Sequence, residues 1–314
     1  MEPVSSSTSL GPGDTLVAVD VGGTTTRVGA VTREGAGDMD RFSSSRLGGE
    51  PLDSLAAIIH AAVPHGKTLI GAVVGLPVSF DAACIVALSS PNLAGFEGVA
   101  VAKELTKKLG VPVVVDRDTV LLATGEWISG AGAGAASMLG VFIGTGIGGA
   151  MLVAGVPYRG ASGGAVEVGH LPIRDHGRRC ICGNIDCLEA YASGHALEAI
   201  ARDAGVPVAD VFTHPAAAEG VATYVGALAH GLAAAVNMLD PHVLLLGGGL
   251  HGRPGFPRDA LAAAIRQHLR APVPSTSVEI RHAILGSDAV LHAAPVLFAR
   301  AQTGRRSAPL PVPC

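Results

Sequence analysis

The chain has 314 residues, is 48% hydrophobic but only 4% aromatic, and carries a formal net charge of −4. That length accommodates about two domains, with cores built from Ala, Val, Leu and Ile rather than rings. No long basic run offers a nucleic-acid surface, no apolar run reaches the roughly 18 residues of a bilayer span, and residues 1–14 lack a leader pattern, so a soluble, cytoplasmic protein is expected.

In chain order, residues 15–20 read as a buried strand, 21–24 as a glycine turn and 27–32 as a second strand. Residues 52–63 have helical spacing, with Leu52, Leu55, Ile58, Ile59 and Ala62 on one face. Strands follow at 69–75 and 84–88, then a helix at 99–109 with its lysines outward. A strand at 111–115 runs into Asp116-Arg117-Asp118 and a helix at about 119–128. The Gly/Ala run 130–136 reads as a flexible connection of the kind that separates domains.

The second half repeats this outline: strand 138–143, glycine turn 144–149, strand 150–154. After a long cysteine-bearing loop come helices near 188–204 and 221–237, strand 243–246, the turn Gly247-Gly248-Gly249, helix 258–269, strand 277–280 and a last helix, 289–302. Strands opening each half, with helices alternating later, indicate two related α/β units and a ligand between them.

Gly144, Gly146 and Gly149 satisfy the dinucleotide fingerprint, but that fingerprint needs a helix after the turn, and a strand follows here. As a hairpin, its bare backbone N–H groups approach phosphate oxygens, and Thr145 adds a hydroxyl donor. The alternative is a purely structural hairpin. Two such hairpins plus Gly248 and Gly249 after a third strand favour a nucleotide cradle, and no P-loop sequence occurs. Asp20, at the end of the first strand, either caps its turn or stands beside phosphates and holds Mg²⁺. Asp118 is either a helix N-cap or the base that accepts a hydroxyl proton during phosphoryl transfer.

Five cysteines, three of them within eight residues, do not resemble a disulfide framework. Cys84 sits in an apolar run as a core thiol, and Cys314 ends a Pro-rich tail. Cys180, Cys182 and Cys187 with His170 are either loose thiols beside a surface histidine or the four ligands of a closed structural zinc site. Four protein ligands leave no open position, so the metal reads as scaffold, with Gly183 permitting the turn around it.

These residues resemble the ROK family of sugar kinases and repressors. Asp20-Val21-Gly22-Gly23-Thr24 is similar to its first phosphate motif, residues 144–149 to its second and 246–250 to the adenosine-side turn; residues 158–189 resemble the family signature, zinc loop included. The resemblance covers about residues 15–302. It implies a two-domain actin-like ATPase (ribonuclease H-like) α/β fold with an interdomain cleft. The N-terminal domain would be 15–118, completed by the helix at 289–302, and the C-terminal domain 119–288 with the zinc loop; residues 1–14 and 303–314 would be disordered tails. Asp118 matches the family's catalytic base. Asn92, Glu167, His170 and Glu189 match its sugar-contacting residues, with one nitrogen of His170 on zinc and the other toward a sugar hydroxyl.

Three positions depart from the family: Arg117 and Val120 where it usually has Asn, and Val78 where Gly is common. All lie on the sugar side. The expected activity is ATP- and Mg²⁺-dependent phosphorylation of the 6-hydroxyl of glucose or a glucose-like amino sugar such as kanosamine, in a homodimer or tetramer. The alternatives are a ROK-type sugar-responsive regulator, for which 14 residues before Thr15 leave no room for a three-helix DNA-binding module, and a non-catalytic sugar-binding relative. Zinc removal is expected to cost sugar binding more than ATP binding.

Overall fold

The computed structural model describes residues 10–81, 86–89, 93–173 and 176–303. Asn92, Cys84 and Cys314 lie outside them. Leu10 to Asp14, expected as part of a disordered tail, are placed: Leu10 is buried, and Gly11 donates to the Asp14 carboxylate at 2.8 Å.

The chain divides into two compact units. The first comprises residues 1–134, 152–165 and 284–314, and the second comprises 135–151 and 166–283.

The first unit is built on a sheet of order β3-β2-β1-β4-β7. β1 (Asp14–Val21) and β2 (Thr25–Thr32) form an antiparallel hairpin, with Asp20 opposite Arg27. β3 (Gly35–Ser43) extends it as an exposed edge strand. Sequence reading assigned nothing there, because this glycine- and charge-bearing stretch lacks alternation and is held by pairing with β2. α1 (Pro51–Ala61) starts with proline in its first turn, where no N–H is needed, and buries Leu55 and Ile59. β4 (Thr68–Leu76) runs parallel to β1. Short β5 (Ser79–Phe80) and β6 (Ala87–Ser89) pair with each other, so the strand expected at 84–88 is shorter and later within the described residues.

α2 (Val101–Leu109) buries Val101, Leu105 and Leu109 at i, i+4 spacing and ends on a left-handed Gly110. β7 (Val113–Arg117) pairs parallel with β4 and feeds α3 (Asp118–Ser129) directly. Alternation along β1 sends Val17, Val19 and Val21 into the core under α1 and α2. Leu16 and Ala18 enter a second core containing Leu291, Ala294 and Leu297. Burial on both faces explains why β1 and β4 read as unbroken apolar runs.

The second sheet has the order β10-β9-β8-β11-β12. β8 (Ser137–Ile143) is followed by β9 (Ile147–Val153) and the two-residue β10 (Val156–Pro157). The expected helix 188–204 is two helices, α4 (Glu189–Ala192) and α5 (Gly194–Ala204). Ser193 breaks it: its backbone is extended, and its hydroxyl accepts the Ala196 N–H as an N-cap. α6 (Ala218–Leu239) lies in a segment long and apolar enough to cross a bilayer, but its Tyr224, Leu228, Leu232 and Val236 are core residues of this unit.

β11 (Val243–Gly247) lies between β8 and β12 (Glu279–His282), parallel to both, with α7 (Arg258–His268) before β12. β12 begins two residues later than expected, because the Ser277 and Val278 N–H groups turn back to Pro274 O. The two sheets thus share one plan, a hairpin followed by two parallel strands, as the repeated sequence pattern suggested.

α8 (Ala289–Gln302) closes the chain and belongs to the first unit. α3 packs against α8 with Gly125 on Ala289 O, so close that a Cβ there would stand 1.9 Å from that oxygen. This packing puts α3 in the first unit. The division therefore falls after Gly134, inside the Gly/Ala run, rather than at Asp118.

Candidate functional site

In the first unit, the ends of β1 and β7 bring the relevant residues to one edge of the sheet. Asp20 is 5% exposed and accepts a hydrogen bond from Arg27 Nη1 at 2.8 Å. Burial pushes its carboxyl above the usual range, and Arg27 opposes the shift. The turn after it closes with Gly22 N–H on Thr25 O at 3.0 Å. Ser44, absent from the sequence reading, braces this turn: its hydroxyl donates to Gly22 O at 2.6 Å and meets Thr26 Oγ1 at 2.9 Å, and its N–H reaches Thr24 O. Gly23 is partly exposed and Thr24 exposed, so the turn presents its backbone outward.

Asp118 is the first residue of α3. The N-cap is Arg117, with extended backbone and no side-chain cap bond, so Asp118 does not serve as the N-cap. Its Oδ1 accepts the Thr119 N–H at 2.7 Å, and the residue is partly exposed. Arg117 and Asp116 beside it are buried and face the loop 158–165: Arg159 makes a two-pronged pair with Asp116, and Arg117 Nη2 donates to Ala165 O at 2.9 Å. Val120 and Val78, the other departures, are buried apolar residues.

In the second unit, the hairpin between β8 and β9 closes with Gly144 N–H on Gly146 O at 2.9 Å. α5 starts beneath it, with Gly194 N–H donating to Gly144 O at 2.9 Å and Thr145 O at 3.2 Å. Glu189 Oε2 accepts the Ile147 N–H at 2.8 Å, and a Cβ on Gly146 would stand 2.3 Å from that oxygen. Gly248 has φ +96° and packs on Ile143, so only glycine fits there; the neighbouring Leu250 N–H binds Ile143 O at 2.9 Å. The turns carrying Gly144–Gly146 and Gly248–Gly249 therefore share the end of β8.

Glu167 leads into a single helical turn, Val168–His170, whose Gly169 presses on Ile147. The preceding Val166 has φ +67°, a strained conformation for a β-branched residue. His170, Cys180, Cys182 and Cys187 come together with their ligand atoms all within 4.8 Å of one another. Cys182 Sγ is 3.7 Å from Cys187 Sγ, and Cys180 Sγ is 3.6 Å from His170 Nδ1. A tetrahedron with Zn–S and Zn–N bonds of about 2.3 and 2.0 Å has edges of roughly 3.8 and 3.5 Å. The sulfurs are too far apart for a disulfide, whose S–S bond is about 2.05 Å. The donor set fits zinc.

Burial pushes the Cys187 thiol up to about 12 and the Cys180 thiol upward. Cys182 is held down on balance, burial being outweighed by the Asn184 N–H and the neighbouring thiols. A cation among them reverses that cost by favouring thiolates.

The loop has a brace of its own that sequence reading missed. Asp186, buried at φ +60°, accepts from the Tyr191 hydroxyl and from the Gly177 and Arg178 N–H groups at 3.0 Å, while the Arg178 guanidinium lies 4.6 Å over the Tyr191 ring. The Tyr191 bond, first, and those N–H groups hold the Asp186 carboxyl below its usual range. An acid inside a cysteine run was the one available signal.

Two sheets of one plan, each opening on a hairpin with a glycine turn, define an α/β protein of the actin-like ATPase class, and its fold matches that of a ROK glucokinase from Streptomyces griseus determined with glucose and AMPPNP (TM-score 0.80, 24% identity, 90% of this chain and 98% of that one). The ROK family profile matches residues 16–301, and the chain belongs to that family. It is 31% identical to a glucokinase of Halalkalibacterium halodurans over 306 residues, covering 87% of this chain and 91% of the relative. A putative xylose repressor of Caldicellulosiruptor is 30% identical over 215 residues, and there the match spans 53% of the relative.

Proposed function

We propose that the protein is an ATP-dependent sugar kinase that phosphorylates the 6-hydroxyl of a hexose, glucose or a glucose-like amino sugar such as kanosamine. The observation that carries the reading is Asp118: a partly exposed carboxylate at the junction of a buried strand and a helix, whose Oδ1 holds the Thr119 N–H of the first helical turn. The likeness to a glucokinase over 91% of that protein's length supports it.

Asp118 accepts the proton of the attacking hydroxyl as the oxygen approaches the γ-phosphorus in line. The turn Gly22-Gly23-Thr24 offers its Gly23 and Thr24 N–H groups to phosphate oxygens, and the turn Gly144-Thr145-Gly146 those of Thr145 and Gly146, while the Gly22 and Gly144 N–H groups close the turns themselves; the Gly248–Gly249 turn borders the adenosine. Asn92, Glu167, His170 and Glu189 orient the sugar. Mg²⁺, when bound with ATP, supplies positive charge at the phosphates; Asp20, with Arg27 on one of its oxygens, is the carboxylate that would hold the ion. His170, Cys180, Cys182 and Cys187 would hold a structural zinc that keeps the loop in shape. The proposal includes a homodimer or tetramer in the cytoplasm, which light scattering on the purified protein checks.

A coupled ADP-release assay over glucose, mannose, glucosamine, N-acetylated sugars and kanosamine tests the reading; ADP release with none of them would refute it. The repressor relative favours a second reading, a sugar-responsive regulator. A gel shift with the purified protein separates the two, and the kinase reading predicts no shifted band. A third reading, a non-catalytic sugar-binding relative, would show sugar binding by calorimetry with no ADP formed.

A further inference from the structure

Arg117 stands immediately before the candidate base and is only 7% exposed, and Asp116 before it is 3% exposed. A buried guanidinium is costly unless its charge and donors are met. One segment meets one of the Arg117 donors and pairs the neighbouring Asp116 carboxylate. Arg117 Nη2 donates to Ala165 O at 2.9 Å, at the end of the loop 158–165. Near its start, Arg159 Nη1 donates to Asp116 Oδ1 at 2.9 Å and Nη2 to Asp116 Oδ2, the fork-on-fork geometry that gives arginine–carboxylate pairs their directional strength. Asp116 Oδ1 also accepts the Arg117 N–H at 2.8 Å. The loop closes on itself through Ala165 N–H to Arg159 O at 3.2 Å.

We propose that Asp116 and Arg117 are positioning residues that fasten both ends of the 159–165 segment to the strand end presenting Asp118, and that Arg117 acts through this tether rather than by touching the sugar. The inference rests on the kinase reading. Two residues beyond Ala165 the chain reaches Glu167, so the tether fixes where that carboxylate's segment begins. Asn at position 117 is too short to span the same gap, and Lys offers a point charge without a planar fork. The four charges of Asp116, Arg117, Asp118 and Arg159 cancel, so Arg117 brings no surplus positive charge to attract an acidic sugar or repel an amino sugar.

The test compares wild type with R117N, R117K and R159A, each first checked for an unchanged melting profile and unchanged nucleotide affinity without sugar. In R117N and R159A, KM is expected to rise about tenfold for every accepted sugar, with the ranking of sugars preserved and kcat within about threefold. R117K recovers part of the loss. Combining R117N with R159A gives less than the product of the single effects, because both release one loop. A change in the order of preferred sugars in R117N would show that Arg117 contacts substrate and overturn the proposal.

Hydrogen exchange of residues 158–165, measured on the same proteins without sugar, is expected to accelerate in R117N and R159A; unchanged exchange overturns the tether. This readout also separates the two readings. If wild type phosphorylates no sugar, the kinase reading fails, while exchange still decides whether the tether exists.

Discussion

Glu189 Oε2 accepts the backbone N–H of Ile147 at 2.8 Å, while its Oε1 lies 4.0 Å from Cys180 Sγ. Glu189, two residues after Cys187, therefore links the cysteine loop to the strand that leaves the Gly144–Gly146 turn through its bond to Ile147. Glu189→Ala removes that link. It is expected to weaken binding of a non-hydrolysable ATP analogue, measured by calorimetry without sugar, by about 5- to 10-fold, or roughly 1 kcal/mol, because Glu189 acts through the shape of the turn. Glu189→Gln keeps an acceptor oxygen and retains most of the affinity. Unchanged nucleotide affinity in the alanine variant would leave Glu189 with the sugar alone.

Elemental analysis is expected to find one zinc per chain, held by His170, Cys180, Cys182 and Cys187. Chelation should accelerate hydrogen exchange through residues 170–189, although the Asp186–Tyr191 brace preserves part of the loop. Sequence alone assigned the cost of metal loss mainly to sugar binding. The Glu189–Ile147 bond extends it to nucleotide binding, as a smaller effect. Full nucleotide affinity after complete metal removal would show that the two are uncoupled.

Next to the Gly248–Gly249 turn, His251 is 2% exposed. Its Nε2 lies 3.0 Å from His282 Nδ1, the rings stack at 4.9 Å, and Phe256 covers His251 at 5.0 Å. Burial, then His282 and Arg258, pulls the His251 imidazole down to about 4. His282 is also lowered, by burial and by Arg258, with Asp259 opposing. A histidine that folds neutral gives its full stability above the unfolded value of about 6.5 and loses it as pH falls toward 4, because the unfolded chain binds the extra proton. Stability should therefore drop by at most about 3 kcal/mol between pH 6.5 and 4. His251→Phe should flatten that part of the profile, as followed by urea unfolding at each pH.

Glu126 is fully buried, and its carboxylate takes the backbone N–H groups of Ala131, Ile284 and Leu285 at 2.9, 2.9 and 2.7 Å. These bonds organise the first-unit ends of two chain crossings, near Gly134 and before Ile284. Glu126→Ala orphans all three donors and should cost about 2–4 kcal/mol in chemical unfolding. A loss below about 1 kcal/mol would mean that water replaces the carboxylate.

Strong periodicity made most of this fold legible. The double-sided apolar runs of β1, β4, β8 and β11 and the helices α1, α2 and α8 were read close to their observed limits. What failed depended on partners distant in sequence or on single hydrogen bonds. β3 exists through pairing with β2, the break at Ser193 rests on one cap, and the helix α3 joins the first unit because Gly125 admits Ala289 O.

The candidate metal ligands were legible as a group because thiols at that density have few other uses, and the structure brings all four together. The glycine turns were legible too. Ser44 under the first of these turns, Glu126 at the unit boundary, Arg159 on Asp116 and Tyr191 in the cysteine loop were not, since an isolated Ser, Glu, Arg or Tyr carries no spacing signal. Arg117 was visible as a departure from the family, but only the structure shows where its guanidinium goes.

The central claim is that Asp118 is the base of a sugar-kinase reaction. It is tested most directly by coupled ADP release over the sugar panel for wild type and Asp118→Asn, alongside calorimetric affinities for sugar and the ATP analogue. The account predicts sugar-dependent ADP release by wild type and a fall in kcat of about 10²- to 10⁴-fold in the variant, with both ligands still bound. Phosphorylation at the wild-type rate by Asp118→Asn would contradict it.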